Sequence, residues 1–126
     1  MNVPEELAYT AEHEWIAELE DGRLKIGITD YAQDALGDVV YVDLPDAGSS
    51  FEAGGVAAEV ESTKSVSEIY APLAGTIDDV NEALADSPDL VNADPYGAGW
   101  FFIMTPADGA DRSALIDAAA YRELTS

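Results

Sequence analysis

Five consecutive residues, Glu61-Ser62-Thr63-Lys64-Ser65, make a short polar centre between two apolar-rich runs, residues 56–60 and 66–70. That pattern predicts a β-hairpin with Lys64 at or beside its tip. Neither Asn-Gly nor Asp-Gly occurs there, so the turn type stays open. The chain carries 26 acidic side chains against five basic ones, and only Lys25 and Lys64 are lysines. A turn lysine is ordinarily a solvated charge. On a protruding turn between rigid strands, flanked by small Thr63 and Ser65, it also suits acylation, because an attaching enzyme must close around the amine. Lysine amines are protonated at neutral pH. Acylation therefore needs an enzyme that recognises the fold and removes the proton. The amide formed erases the charge and leaves a long flexible tether.

Other chemistries find little support. The absence of cysteine excludes disulfides, thiol catalysis and cysteine-based zinc sites, and a single histidine, His13, cannot build a metal cluster. Ser62, Thr63, Ser65 and Ser67 have no histidine base placed by any motif. Carboxylate pairs are too frequent to mark an acid–base site. Gly54-Gly55 and Gly97-x-Gly99 lack the lysine and hydroxyl of a phosphate-binding loop. These residues favour a binding or carrier protein over an enzyme.

With 126 residues and 48% hydrophobic content, the chain suits one globular domain, residues 1–126, with a single real core. Its formal net charge of −21 is spread along the sequence as an acidic skin. Such a field repels nucleic-acid phosphate and anionic lipid, so neither is an expected partner. Self-repulsion destabilises a compact state at low salt and fades as the Debye length shrinks to about 3 Å at 1 M. Folding is expected to improve in molar salt, as for a protein of a halophile's cytoplasm. No basic, apolar leader and no apolar run near 18 residues is present, which points to a soluble, cytoplasmic protein, expected to be monomeric.

The elements that must position Lys64 can be followed in order. Residues 1–7 read as a lead-in with a turn at Pro4. Alternation from His13 to Leu19 predicts a strand with Trp15, Ala17 and Leu19 inward, and Glu20-Asp21-Gly22 turns it into a second strand carrying Leu24, Ile26 and Ile28 on one face. Thr29-Asp30 offers a helix N-cap and Gly37 a stop. Residues 38–44 and 75–80 read as strands, residues 81–86 as a helical turn, residues 87–95 as largely loop, and residues 99–105 as the most apolar strand. Asp111 or Ser113 is expected to cap a closing helix through about Leu124, packing Leu115, Ile116, Ala119 and Tyr121. Residues 37–42 and 75–80 share G-x-[VI]-x-x-V, an echo that fits two similar β units in a small sandwich.

Glu61-Ser62-Thr63-Lys64-Ser65 with Pro72-Leu73-Ala74-Gly75 resembles the attachment hairpin of lipoyl domains. Tyr9-Thr10-x-x-His13-Glu14-Trp15, Gly27-Ile28-Thr29-Asp30-Tyr31-Ala32-Gln33, Leu36-Gly37-Asp38-Val39-Val40 and Val91-Asn92-x-Asp94-Pro95-Tyr96-Gly97-x-Gly99-Trp100 look like the glycine cleavage system H-protein family. The resemblance spans residues 7–124. Biotin carriers share the fold but set methionines beside the lysine, where this chain has Thr63 and Ser65.

The resemblance implies a mainly β, barrel-sandwich hybrid fold with short helices and a C-terminal helix, bearing lipoate on Lys64. It implies a carrier with no turnover of its own, loaded by a lipoate-attaching enzyme. The carrier would shuttle between a pyridoxal-phosphate glycine decarboxylase, a tetrahydrofolate-dependent aminomethyltransferase and a flavin dihydrolipoamide dehydrogenase. It further implies an arm pocket in which Glu14 holds the protonated amine, helped by Glu68 where many relatives have Asp. Glu12 stands where relatives often have a small hydroxyl residue, and Ala35 where some have a cleft-side histidine. His13 is expected to be structural, and Trp15 and Trp100 to be core aromatics. Two other readings compete: an H-like relay protein that passes lipoate to other lipoyl domains, and an unmodified binding module on the same scaffold.

Overall fold

The computed structural model describes residues 2–125. Strands β1 (Ala8–Tyr9), β2 (Glu14–Glu18) and β3 (Leu24–Ile28) open the chain, followed by helix α1 (Asp30–Leu36) and β4 (Val39–Asp43). Then come β5 (Ser50–Phe51), β6 (Val56–Ser62), β7 (Val66–Tyr70) and β8 (Gly75–Val80). Short helices α2 (Ala83–Asp86) and α3 (Leu90–Ala93), strand β9 (Phe102–Pro106) and helix α4 (Ala118–Thr125) close it. The strands form an antiparallel six-stranded sheet, ordered β1-β2-β3-β9-β8-β5, and a three-stranded sheet, ordered β4-β6-β7. This is the expected mainly β sandwich with short helices and a C-terminal helix. The two segments of the sequence echo lie in different sheets, as β4 and β8.

Alternation explains the packing between the sheets. Leu24, Ile26 and Ile28 leave one face of β3 and meet Phe102 and Met104 of β9 and Val42, Val60 and Ile69 of the smaller sheet. Each such side chain, fully buried, contributes about 1.5–3 kcal/mol of hydrophobic stabilisation. A second, smaller cluster joins Val3, Tyr9, Trp15, Ala118 and Tyr121, where α4 covers β1 and β2. Strand β2 is therefore buried on both faces near its start: Trp15 enters the smaller cluster, while Ile16 enters the main core. The expected single inward face of Trp15, Ala17 and Leu19 is corrected accordingly, for Ala17 and Leu19 are only half-buried. The Trp15 indole lies over Gly27, where a Cβ would fall 2.7 Å from the ring, and its Nε1–H donates to Pro95 O at 2.9 Å. Trp100 is half-buried rather than core, with Lys25 Nζ 5.2 Å above its ring.

Helix α1 has the expected caps: the Thr29 side chain accepts from Ala32 N–H, and Gly37 ends the helix at φ 82°. Residues 87–95 are largely loop, as expected, with one helical turn, α3, among them. Other expectations are corrected. The closing helix begins only at Ala118, because Ile116 is drawn into paired backbone hydrogen bonds with Tyr9 at 2.8 Å. Asp117 rather than Asp111 or Ser113 lies at its start, accepting from Ala120 N–H, and Ala119 is exposed. Strand β9 begins at Phe102, later than expected, although Phe101 N–H still donates to Ile26 O.

Candidate functional site: a clamped lysine beside an acidic groove

Strands β6 and β7 pair from Val56↔Tyr70 to Glu61↔Val66, leaving residues 63–65 as the turn. Ser62 closes that turn. Its buried Oγ accepts the N–H groups of Lys64 and Ser65, each at 3.1 Å, and donates to Ser65 O at 3.2 Å. Thr63 N–H is held by Asp38 O at 3.0 Å, which ties the tip to the lead into β4. With its local polar groups satisfied, the tip presents Lys64 on the exposed surface. The other four basic residues are engaged: Arg23 with Asp21, Arg112 with Glu18, Arg122 with Glu5, and Lys25 with Trp100. Lys64 makes no ion pair among the described residues.

A groove follows β7 away from the lysine. Its near part, about 300 Å³, is lined by Ser65, Glu68, Tyr31, Ala35, His13 and Glu12, among others. The far part, about 470 Å³, is lined by Glu12, Glu14, Thr10, Tyr70, Gly54 and Pro72, among others. Glu12 is the residue that lines both parts. Ala35, where a larger residue would narrow the near part, leaves it open.

Glu14 is the unusual member. Only 1% of it is exposed, yet no cation pairs with it among the described residues. One carboxyl oxygen bonds the Thr10 hydroxyl at 2.7 Å, and the other accepts Tyr70 N–H at 3.1 Å. Burial raises its pKa to about 7, against the smaller opposing effect of these two hydrogen bonds. Glu68 is exposed at the groove's edge and accepts from the Tyr70 hydroxyl at 3.4 Å, a long contact.

The β1–β2 turn explains how a glutamate reaches this place. Thr10 N–H donates to Glu14 O at 3.0 Å, and His13 closes the turn at φ 71°. The Thr10 Oγ1 also accepts the N–H groups of Glu12 and Glu14, both at 3.2 Å. The His13 ring, which lines the near part, is pinned in place: Nδ1 meets Tyr121 Oη at 2.8 Å, and the ring packs on Tyr31 with centroids 4.8 Å apart. Burial lowers its pKa despite nearby Glu12. These contacts hold the ring between helix α4 and Tyr31 of helix α1.

The glycine cleavage H-protein family model matches residues 7–126. The chain belongs to the glycine cleavage H-protein family. It is 56% identical over 126 residues to a glycine cleavage system H protein of Micrococcus luteus, with 99% of this chain and 98% of the relative covered. It is 53% identical over 123 residues to one of Cronobacter sakazakii, covering 98% and 95%. The crystal structure of a glycine cleavage system H protein from Mycobacterium marinum superposes with a TM-score of 0.86 at 42% identity, covering 98% of each chain.

Within this family fold, Glu68 and Glu12 line the near part and Glu12 and Glu14 the far part, while Lys64 lines neither and is placed beside the near part only through its chain neighbour Ser65. Three contributors escaped sequence reading. Thr10 and the Tyr70 backbone hold Glu14, and Ser62 clamps the tip. Thr10 carried a signal, being four residues before Glu14 in a turn; the Tyr70 contact joins residues 56 apart and carried none. Among the described residues no set of three potential metal ligands gathers, and no helix is long and apolar enough to cross a membrane.

Proposed function

We propose that this chain is the lipoyl carrier of a glycine cleavage system, with lipoate joined to Lys64 as an amide. The observation that carries this reading is an exposed lysine with no ion pair among the described residues, on a hydrogen-bonded tip whose next residue, Ser65, opens an acid-lined pocket, with a second pocket beyond it reaching a buried carboxylate. An attached lipoyl group supplies a cyclic disulfide that accepts a one-carbon amine fragment together with reducing equivalents. The residues fit such a group: the groove begins beside the lysine, has apolar walls at Ile28, Leu36 and Ile69, and is large enough to shield an arm from water.

Glu14 then serves as the polar end-point. Buried and with no cation paired to it among the described residues, it is partly protonated at neutral pH. An incoming ammonium supplies the missing positive charge, so Glu14 gives up its proton and holds the amine by a charge-assisted hydrogen bond. Glu12 and Glu68 add negative potential along the path. The acid at position 12, where relatives often carry a hydroxyl group, makes this groove more strongly cation-seeking.

The partners on this reading are glycine decarboxylase, aminomethyltransferase and dihydrolipoamide dehydrogenase, with a lipoate-attaching enzyme loading the arm. The chain acts as carrier and cosubstrate, a single monomeric domain over residues 1–126 in the cytoplasm. Its charge of −21 suits a salt-rich cytoplasm such as a halophile's. Reconstitution tests the function: the lipoylated chain with the partner enzymes is expected to support glycine-dependent exchange of carbon dioxide. Absence of exchange, with lipoate passing instead to other lipoyl domains, would favour a relay protein.

A further inference from the structure

We propose that Asn92 positions Lys64 for acylation, by fixing the segment at residues 37–39 on which the lysine stem and the hairpin tip rest. This goes beyond the carrier reading and depends on Lys64 being the attachment point. The amide of Asn92, in α3, uses three of its hydrogen-bonding positions across that segment and α1. Its Nδ2 donates to Gly37 O and to Gln33 Oε1, both at 2.9 Å, and its Oδ1 accepts Val39 N–H at 2.8 Å. Asp38 is thereby held from both sides, and Asp38 O is the acceptor for Thr63 N–H at the tip. The regular pairing of β4 with β6 is interrupted just beyond, between Val39 and Tyr41. A strand irregular there has fewer ladder bonds to fix its start, which makes a side-chain tie more consequential.

Gly37 gives this segment a direct hold on the lysine. Its bare Cα lies under the lysine stem, and a Cβ built on it would come 3.2 Å from Lys64 Cε. Displacing residues 37–39 therefore shifts both the surface under the stem and the acceptor that anchors the tip. An enzyme that closes around the amine is sensitive to such shifts, since small misplacements of reacting atoms cost rate steeply. A small acylating reagent, approaching from any side, is not.

The test uses the full apo chain and its Asn92→Ala variant. Lipoylation by a lipoate-attaching enzyme is followed as a function of carrier concentration, alongside acylation of Lys64 by a small N-hydroxysuccinimide ester. The variant is expected to lose on the order of tenfold in enzymatic kcat/KM, with the ester reaction unchanged. Hydrogen exchange is expected to quicken at the Thr63 amide while Val60, deeper in β6, stays protected. Gln33→Ala, which leaves the bonds to Gly37 and Val39 intact, is expected to behave as wild type. Should Asn92→Ala fail to fold, Asn92→Asp keeps the acceptor for Val39 N–H but loses both donated bonds, and is expected to slow the enzyme in the same way.

Unchanged enzymatic rates in the folded Asn92 variant, an equal loss in Gln33→Ala, or parallel losses with enzyme and ester would each overturn the proposal. Failure of the wild-type chain to take lipoate on Lys64 would instead remove the carrier reading, and this inference with it.

Discussion

At Glu14, two hydrogen bonds are set against the removal of a carboxylate from water, and burial prevails: the pKa rises to about 7 from the ordinary 4.5. A group whose folded value is raised stabilises the fold fully below the unfolded value of about 4.5, and loses that contribution as pH rises through about 7. Glu14→Gln, neutral throughout, is therefore expected to be the more stable protein at pH 8, by on the order of 1–3 kcal/mol, with little advantage at pH 4. Thermal melts of both proteins across that range decide it, and parallel curves would show that Glu14 does not titrate in this window. The same substitution weakens the hold on an amine at the end of the arm. Glu14→Ala is expected to shorten the lifetime of the amine-loaded form while leaving lipoylation of Lys64 intact, read by mass spectrometry after loading. An unchanged lifetime would take Glu14 out of the pocket.

The β6–β7 hairpin owes its position to strand alternation and its shape to one hydroxyl group. Removing the three hydrogen bonds of Ser62 by Ser62→Ala is expected to cost about 1–2 kcal/mol, and to lower the melting midpoint by several degrees. Enzymatic lipoylation should slow with it, because the tip no longer holds one conformation. A variant with wild-type melting and lipoylation rate would contradict the clamp. The hairpin, the first strand pair and α1 were legible in the sequence because alternation, a turn dipeptide and paired caps are local signals. Helix α3 was not: four residues with no side-chain cap leave no periodic trace. The late start of α4 was hidden for another reason, since the bridge between Tyr9 and Ile116 competes with helix from across the molecule. The double burial of β2 likewise depends on α4 covering its outer face, which alternation within β2 cannot report. The groove's acids were legible by resemblance, whereas their partners are long-range contacts.

At the scale of the whole molecule, a net charge of −21 is met, among the described residues, by three exposed ion pairs, each worth little. Stability is therefore expected to climb with ionic strength, with the melting midpoint rising from dilute buffer to molar KCl. A flat response would separate the acidic composition from any adaptation to salt. The same field gives Lys64 its distinction, as the basic side chain left without a local partner on the described surface. The most direct test of the account is the intact mass of the apo chain after incubation with lipoate, ATP and a lipoate-attaching enzyme, beside Lys64→Arg. The account predicts one lipoyl group on the wild-type chain, localised to Lys64 by peptide mapping, and none on the variant. A lipoyl group on Lys64→Arg, or an unmodified wild-type chain under conditions that load another lipoyl domain, would contradict it.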